Sequence, residues 1–420
     1  LYSGVFWDVQ DYLLEDIDRI EVISGPGGTL WGANAVNGVI NISSKNAKDT
    51  QGGFVEAGVG TELQDVFGAR YGGKLAPDVY FRVYGKYLER DGSITANGAD
   101  VPDGSKMGRG GFRLDAGGAT PNALTVQGDF YNGREDMDTG GTSKPRGGNI
   151  LGRWSHVFSD ESDLSLQLYY DQTHLSAPKP SNGFAPAGVL TDDLDTYDLD
   201  FQHRFPLGAH NRLVWGFGYR LTSDHVQNAP GLVFLPANLE QNLFSVFAQD
   251  EIGLAKDVTF TFGTKLEHTD YTGLEVEPSA RLQWNLTDKQ MLWAAVSRAV
   301  RTPSRIDRDL LEPTLLPAPL PESILSGSPD FDSEEVIAYE LGYRAQLGPK
   351  VSASASAFFN DYDHGRSTTP CPPGVPKFGF PLVFANDLEG ETYGLELSAN
   401  YQVLAWGRLH GGYSLIKEYL

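Results

Sequence analysis

The stretch RIEVISGPGGTLWGANAVNGVINISSK (residues 19–45) places two β-branched apolar runs on either side of a glycine-rich bend. Residues 20–23 favour a strand, and Gly25-Pro26 marks the end of that strand. The second run, residues 39–42, is again β-branched and apolar. Only about ten residues lie between the two runs, which is too few for a helical crossover between parallel strands. The stretch therefore predicts two strands joined by a compact bend.

The glycines of this bend also raise the question of nucleotide binding. A dinucleotide-binding turn carries the pattern G-x-G-x-x-G at the start of a helix that holds the pyrophosphate. Gly25 and Gly27 fit the first two positions, but Leu30 occupies the third. The pattern is thus incomplete, and the following helix has no room. A glycine-rich turn without a binding role is the plain alternative at this point.

Composition excludes several classes of protein. The chain has 420 residues and a formal net charge of −22, so it lacks the surplus of Lys and Arg that nucleic-acid binding requires. No run of 18 apolar residues is present, which excludes a helical membrane span but not a barrel, whose apolar face uses every second residue. The one cysteine, Cys371, rules out an intrachain disulfide and a thiolate metal cage.

Alternating apolar and polar residues recur through the rest of the chain. In residues 257–267 the apolar face carries Phe260 and Phe262, and the polar face carries Thr261 and Lys265. A period of two over about ten residues indicates a strand with one apolar and one wet face. The same alternation is found in residues 163–171, 213–219, 351–359 and 393–401.

Strand and loop lengths separate a membrane barrel from a soluble sandwich. The alternating segments are nearer ten residues than the five or six of soluble strands, and ten residues cross a tilted bilayer path. Short and long connections alternate, as in outer-membrane barrels with short turns at one rim and long loops at the other. The short ones are residues 75–78, 159–163, 206–210, 253–256, 287–289 and 348–350, and the long ones are residues 89–106, 132–148, 174–191, 222–240, 298–333 and 364–390. About 17 strands are predicted after Gly52.

The opening stretch resembles the end of the plug domain of TonB-dependent outer-membrane receptors. Residues 19–26 and 30–42 follow the family pattern E-R-I-E-V-x-x-G-P-x-x-x-x-Y-G-x-x-A-x-x-G-x-I-N-I, with Asp18 for the first Glu and Trp31 for Tyr. Two later segments agree with barrel motifs of the same family. They are SRAVRTPS (residues 297–304), and SEE followed by YELGY (residues 333–335 and 339–343).

The resemblance implies an all-β fold, a transmembrane antiparallel β-barrel closed by a plug. It assigns residues 1–48 to the C-terminal part of the plug domain and residues 49–420 to a partial barrel, about 17 of a family total near 22 strands. The rest of the plug, with its energy-coupling box, would precede Leu1. The last strands would follow Leu420.

The implied function is TonB-dependent import of a scarce nutrient such as a ferric siderophore, haem or cobalamin across the outer membrane of a Gram-negative bacterium. The expected partners are the TonB energy-transducing complex, a small metal-chelate or cofactor ligand, and outer-membrane lipid and lipopolysaccharide. No catalytic chemistry, cofactor or nucleic acid is expected. The alternatives are a passive porin or adhesion-type barrel and an outer-membrane enzyme, and the plug-like residues 1–48 speak against both.

Site residues follow from the same resemblance. Plug arginines in this family meet barrel glutamates, so Arg19 and Glu340 are predicted to lock the plug to the barrel. A buried charge without its partner costs several kcal/mol, on the order of 3–5. No metal site is predicted, since the acidic residues of the loops do not match an EF-hand spacing. The plug motif residues expected to shape the bend are Glu21, Gly25, Pro26, Gly32, Gly38 and Asn41.

Overall fold

Antiparallel strands make up most of the chain in a computed structural model that describes residues 6–118, 120–314, 323–370 and 382–419. Cys371 lies outside these residues. Among the described residues, no helix is long and apolar enough to cross a membrane.

The first part of the chain forms a small sheet of its own. It contains β1 (Ile17–Ser24), α1 (Gly28–Trp31) and β2 (Gly38–Ser44), with β1 antiparallel to β2. Short 3-10 turns lie at Trp7–Val9, Leu14–Asp16 and Ala47–Thr50. The two strands predicted on either side of the glycine-rich bend are therefore confirmed.

Twenty further strands form a second sheet, with one additional helical turn between two of them. Their bounds are β3 (Gly52–Val59), β4 (Leu63–Ala76), β5 (Val79–Arg90), β6 (Ser105–Ala116), β7 (Asn122–Asp136), β8 (Thr142–Ser159), β9 (Ser162–Lys179), β10 (Gly188–Leu207), β11 (Asn211–Gln227), β12 (Val233–Phe234), β13 (Asn238–Ala255), β14 (Val258–Thr269), β15 (Gly273–Thr287), β16 (Gln290–Arg301), α2 (Arg305–Arg308), β17 (Leu310–Pro313), β18 (Ser323–Ser326), β19 (Glu334–Gln346), β20 (Val351–Pro370), β21 (Leu382–Gln402) and β22 (Arg408–Tyr419).

The second sheet has the strand order of a closed barrel. Its long strands pair antiparallel with their neighbours in sequence, and the short strands β12, β17 and β18 lie in the connections. Without those three, the described residues contain 17 barrel strands, as the alternation predicts. The last strand, β22, pairs residue by residue with β21, and all 12 of its residues are exposed.

The strands are longer than the predicted ten or so residues. Most have 12 or more, and β10 and β21 reach 20 and 21. The difference arises because the backbone hydrogen bonds between strands continue beyond the band of outward-facing apolar residues. Outside that band the sequence no longer alternates between apolar and polar residues, so the pattern does not show where the strand ends. The predicted loop 132–148 is the clearest case, since β7 and β8 leave only residues 137–141 between them.

Side-chain exposure identifies the two faces of the barrel wall. On β14, Phe262 and Leu266 are 50% and 37% exposed, whereas Lys265 and Glu267 are buried at 9% and 3%. The apolar residues therefore face outward and the charged residues face the lumen. This agrees with the faces assigned from the alternation.

The two rims of the barrel differ as predicted. Short turns join the strands at one rim, for example at residues 160–161, 256–257 and 288–289. At the other rim the connections carry α2, β12, β17 and β18, which pack around a buried apolar cluster. We call these four elements, together with that cluster, the rim cap. The cluster contains Leu190, Val226, Ala229, Phe234, Leu310, Phe331 and Phe384.

Residues 6–51, here called the inner segment, lie against the charged inner face of the barrel. One end contacts β4, β5 and β6, and the helical turn α1 contacts β13 to β16. The inner segment thus touches two separate parts of the wall, and these contacts define the candidate site.

Candidate functional site

The helical turn α1 packs against the lumen-facing side of β14, β15 and β16. The Thr29 hydroxyl donates a hydrogen bond to the backbone carbonyl of Glu277 (3.0 Å) and lies 2.8 Å from the Ser279 hydroxyl. Three residues after the turn, the Asn34 N–H donates to the Val300 carbonyl (2.7 Å). These bonds fix the backbone of the bend directly to the barrel.

Two glycines allow this close approach. A Cβ atom on Gly28 would lie 2.5 Å from Glu277 Oε1, and one on Gly32 would lie 2.3 Å from Glu267 Oε1. Gly32 also has φ near +80°, a conformation that side-chain-bearing residues rarely adopt. The glycines of the opening stretch therefore make space for barrel carboxylates, and no helix of nucleotide-binding length follows them.

Buried charges surround the bend. Glu267 accepts a hydrogen bond from the Ala33 N–H (2.8 Å) and pairs with Lys265 (3.3 Å). Glu277 is fully buried, and its Oε1 accepts a bond from the Val300 N–H at 3.3 Å. Its second oxygen, Oε2, has no hydrogen-bond partner among the described residues. The wall therefore presents two buried carboxylates toward the inner segment.

A second anchor lies at the end of the inner segment. The Ala47 N–H donates to Asp115 (2.7 Å), and Arg113 both pairs with Asp115 (2.7 Å) and donates to the Ser44 hydroxyl (2.8 Å). Arg82 donates to the Lys45 carbonyl at 2.6 Å. Charge-assisted bonds of this kind are about twice as strong as neutral ones, so this anchor is a firm attachment.

A third anchor holds the start of the inner segment. The Arg109 guanidinium lies 4.2 Å from the centre of the Tyr12 ring and 5.2 Å from that of Tyr131, and it donates to the Val9 carbonyl. Lys86 pairs with Asp11 next to it. Three separate groups of barrel side chains thus grip one short segment.

The predicted motif residues shape the small sheet. Glu21 lies opposite Asn41 in the β1–β2 register and accepts a hydrogen bond from its amide (2.7 Å). This amide and then Arg19 lower the pKa of the Glu21 carboxyl. Pro26 lies between the two strands, next to Gly25, whose φ is +82°. A Cβ on Gly38 would lie 2.5 Å from a backbone carbonyl of β1.

The predicted lock between Arg19 and Glu340 is not formed. Arg19 pairs with Asp18 (3.3 Å) and Glu21 (3.0 Å), and within the described residues its ion pairs stop there. Glu340 instead faces Gly25, whose Cβ position would be 2.9 Å from Oε1. Six residues of extended chain, about 20 Å, separate Gly25 from Arg19, so Glu340 contacts a different part of the small sheet from the one that carries Arg19.

Sequence reasoning missed the carboxylates that do contact the bend. Glu267 and Glu277 stand on the polar faces of alternating segments, as do many solvent-facing glutamates. The alternation marks them as lumen-facing, but no local pattern shows which lumen residues meet the inner segment. That information lies in the pairing of distant segments.

Above the lumen, the rim cap is held by a buried arginine. Arg305, at the start of α2, pairs with Asp224 (2.6 Å) and Asp309 (3.0 Å), and its side chain is fully buried, as is that of Asp224. Ser304 and Asp307 form a reciprocal capping box that starts the helical turn. The cap therefore links the connection after β16 to the upper end of β11.

Comparisons with known proteins agree with this architecture. Residues 66–419 match the family described as TonB dependent receptor-like, beta-barrel. An iron-regulated outer membrane virulence protein of Vibrio cholerae is 24% identical over 96% of this chain and 62% of its own length. A vitamin B12 transporter of Vibrio vulnificus is 24% identical over 83% of this chain and 55% of its own length. The chain thus spans less than two thirds of these relatives.

A solved structure shows the same fold. The ferric enterobactin receptor of Pseudomonas aeruginosa, determined as a mutant in complex with enterobactin, superposes with a TM-score of 0.77 at 18% identity. The match covers 96% of this chain and 68% of that one. At this identity the match shows a common fold.

Proposed function

Because the chain belongs to the TonB-dependent receptor-like β-barrel family, we propose that it is part of an active importer of a small metal chelate, a ferric siderophore in the first instance. In this proposal residues 1–48 are the C-terminal part of the plug, and the barrel from residue 49 onward resides in the outer membrane. A TonB-type energy-transducing complex supplies the force that displaces the plug.

The close contact between the glycine-rich bend and the barrel wall is the observation that supports this proposal. Gly28 and Gly32 lie against buried Glu277 and Glu267, so the inner segment is fitted to the lumen at backbone distance. A passive porin needs an open water-filled lumen. The inner segment is bound to the barrel wall at three anchors and occupies part of that lumen, which argues against a passive porin. The named relatives also include an iron-regulated protein and a vitamin B12 transporter. Cobalamin is therefore the second candidate ligand.

A reversible disulfide tests whether the inner segment must move for import. The oxygens of Thr29 and Ser279 are 2.8 Å apart, so Thr29→Cys with Ser279→Cys places two sulfurs within bonding reach. In a Cys371→Ser background, the oxidised double variant should bind but not import the ligand, and reductant should restore uptake. The single-cysteine variants should import normally.

Growth of a deletion strain that carries each variant identifies the ligand. Ferric siderophores, haem and cobalamin should be supplied separately as the sole source, with and without reductant. Normal uptake by the fully oxidised double variant would contradict the displaceable plug. Growth that is independent of the protein on all three sources would contradict the import function.

A further inference from the structure

Lumen-facing cations are concentrated on three neighbouring strands, β4, β5 and β6. Tyr71, Val83 and Phe112 are exposed on the apolar outer face of these strands, so residues of the opposite parity face the lumen. Five cations have that parity, all of them buried or partly buried, and we call them the cationic wall: Arg70, Arg82, Lys86, Arg109 and Arg113. The structure describes these three strands in full, and Asp115 is their one carboxylate of the same parity.

Four cations of the wall lie directly opposite one another across a strand pair. In the β5–β6 register Arg82 is the partner of Arg113, and Lys86 is the partner of Arg109. The two pairs are four residues apart along β5, about 13 Å, so the positive charge extends along the length of the lumen. Like charges directly opposite each other destabilise a sheet. The cationic wall therefore needs anions from outside its own strands.

The inner segment supplies these anions. Asp16 pairs with Arg70 and, at 3.3 Å, with Arg82. Asp11 pairs with Lys86. Backbone carbonyls of the inner segment accept further hydrogen bonds from the wall. The cationic wall is thus balanced in large part by a segment that is not one of the barrel strands.

The contact at α1 has the opposite character. There the barrel presents the carboxylates of Glu267 and Glu277, and the inner segment meets them with the Ala33 N–H and with glycine backbone. Displacement of the inner segment would therefore uncover a surplus of positive charge at β4, β5 and β6, and buried carboxylates at β14 and β15.

Loss of Asp11 and Asp16 from the cationic wall would leave five cations with Asp115. Cations remain in excess even when Glu56 and Asp129 on the flanking strands β3 and β7 are counted. Charges without partners in a partly dehydrated site are unfavourable. A cleft lined by charges of one sign also raises the local concentration of ions of the other sign. An anion that entered the lumen would take the place of the departed carboxylates.

We propose that the cationic wall is a transit path for a chelate with several negative charges, and that Asp11 and Asp16 are stand-in anions that occupy the path at rest. When the inner segment moves, the cargo replaces these carboxylates, so opening of the lumen is coupled to entry of the ligand. The inference rests on the proposed function and names its substrate class, an anionic chelate rather than an uncharged ligand.

The test measures the ion selectivity of the full chain in planar lipid bilayers, with KCl as the probe. Urea is raised until a steady conductance reports release of the inner segment, and the reversal potential in a KCl gradient gives the ratio of chloride to potassium permeability. Chloride should be preferred at least threefold, although the net charge of −22 would by itself favour potassium. Arg82→Gln/Lys86→Gln/Arg113→Gln should lower the ratio at least threefold.

The matched control removes three cations of lumen-facing parity from other strands. It is Arg153→Gln/Arg281→Gln/Arg344→Gln, on β8, β15 and β19. This variant should change the permeability ratio less than 1.5-fold, because these residues are not in the cationic wall. Since urea has released the inner segment in every variant, the ratio does not depend on how firmly that segment was anchored.

A charge swap separates transit from anchoring. Asp11→Lys/Lys86→Asp keeps an ion pair between the inner segment and the wall but reverses the charge left on the wall. It should open at the wild-type urea concentration, with the chloride preference lowered at least twofold. Without urea, Asp11→Asn/Asp16→Asn should raise the chloride conductance at least threefold. The control Glu15→Gln/Asp18→Asn changes two exposed carboxylates of the same segment and should alter it less than 1.5-fold.

Two results would overturn the proposal. One is a wild-type open state that prefers potassium, and the other is a permeability ratio that is unchanged in both the triple variant and the charge swap. Chloride preference in the bilayer together with a failure of cells to import any chelate would count against the proposed function alone.

Discussion

The Glu277 carboxylate fills the space that a side chain at residue 28 would need. Its Oε1 atom lies 2.5 Å from the Cβ position of Gly28, and the glutamate is fully buried. The inner segment and the barrel therefore meet through the backbone of Gly28 on one side and the carboxyl group of Glu277 on the other. The consequences can be measured.

Gly28→Ala should loosen the bend. Alanine is intrinsically the better helix former, so any loss of stability in α1 must come from the collision with Glu277. Overpacking of this kind costs about 1–3 kcal/mol. Hydrogen exchange of the α1 amides should become faster. The control is Gly53→Ala, where no atom lies within 4 Å of the Cβ position; equal effects at both sites would show that the contact is not tight.

Lys265 and Glu267 should show strong energetic coupling. Both are buried and 3.3 Å apart, so either single substitution to alanine leaves a buried charge behind. The double variant should be less damaging than the sum, with a coupling of about 0.5–3 kcal/mol. The exposed pair of Arg212 and Glu251, 3.1 Å apart, should couple by only about 0.2–1 kcal/mol. Denaturant unfolding of the four variants in each cycle provides the comparison.

Phe262→Arg should impair assembly far more than Thr261→Arg. Phe262 is 50% exposed on the apolar outer face, and Thr261 has the opposite parity on the same strand. A cation near the middle of the bilayer costs about 2–4 kcal/mol, whereas the lumen is polar. The folded fraction can be read from heat-modifiable migration on gels. Similar losses for both variants would reverse the assignment of faces.

Arg305→Met should open the rim cap. It removes a fully buried cation that pairs with Asp224 at 2.6 Å, and breaking a buried pair typically costs about 3–5 kcal/mol. Limited proteolysis should then cut the connections after β11 and β16 at higher rates. Arg204→Met, which breaks an exposed pair with Asp163 at 2.5 Å, is the control and should leave these rates unchanged.

Cysteine labelling should distinguish the two rims in intact cells. Thr139→Cys lies in the β7–β8 connection at the rim of the cap, and Lys256→Cys lies in a short turn at the opposite rim; both positions are exposed. In a Cys371→Ser background, a membrane-impermeant maleimide should label Thr139→Cys alone. The reverse pattern would invert the barrel in the membrane.

Much of the fold is predictable because alternation and turn chemistry are local. Phe262 and Lys265 differ in parity on one strand, and that alone assigns them to opposite faces. The bend at Gly25 is equally local, since Gly-Pro ends a strand. Strand ends were less predictable, because at Asp136 the ladder continues past the apolar belt.

The contacts of the site were not predictable, because they join segments far apart in the chain. Arg19 and Glu340 each match a motif, yet the level of each residue in the lumen depends on the register of two separate sheets. The partner that Gly28 meets, Glu277, is separated from it by most of the chain, and no spacing rule connects them. How the small sheet is positioned inside the barrel is determined by tertiary contacts, which local sequence patterns do not reveal.

The rim cap contains a further consequence for how such a barrel can change over evolution. The short strands of its connections pair with one another, as β12 does with β17, and β18 lies parallel to β21. Residues from different connections therefore belong to one hydrogen-bonded network. An insertion in one connection would disturb the pairing partners of the others. Length changes in these connections should thus occur in concert among homologues, and a loop grafted alone from a relative should fail where a complete matched set succeeds.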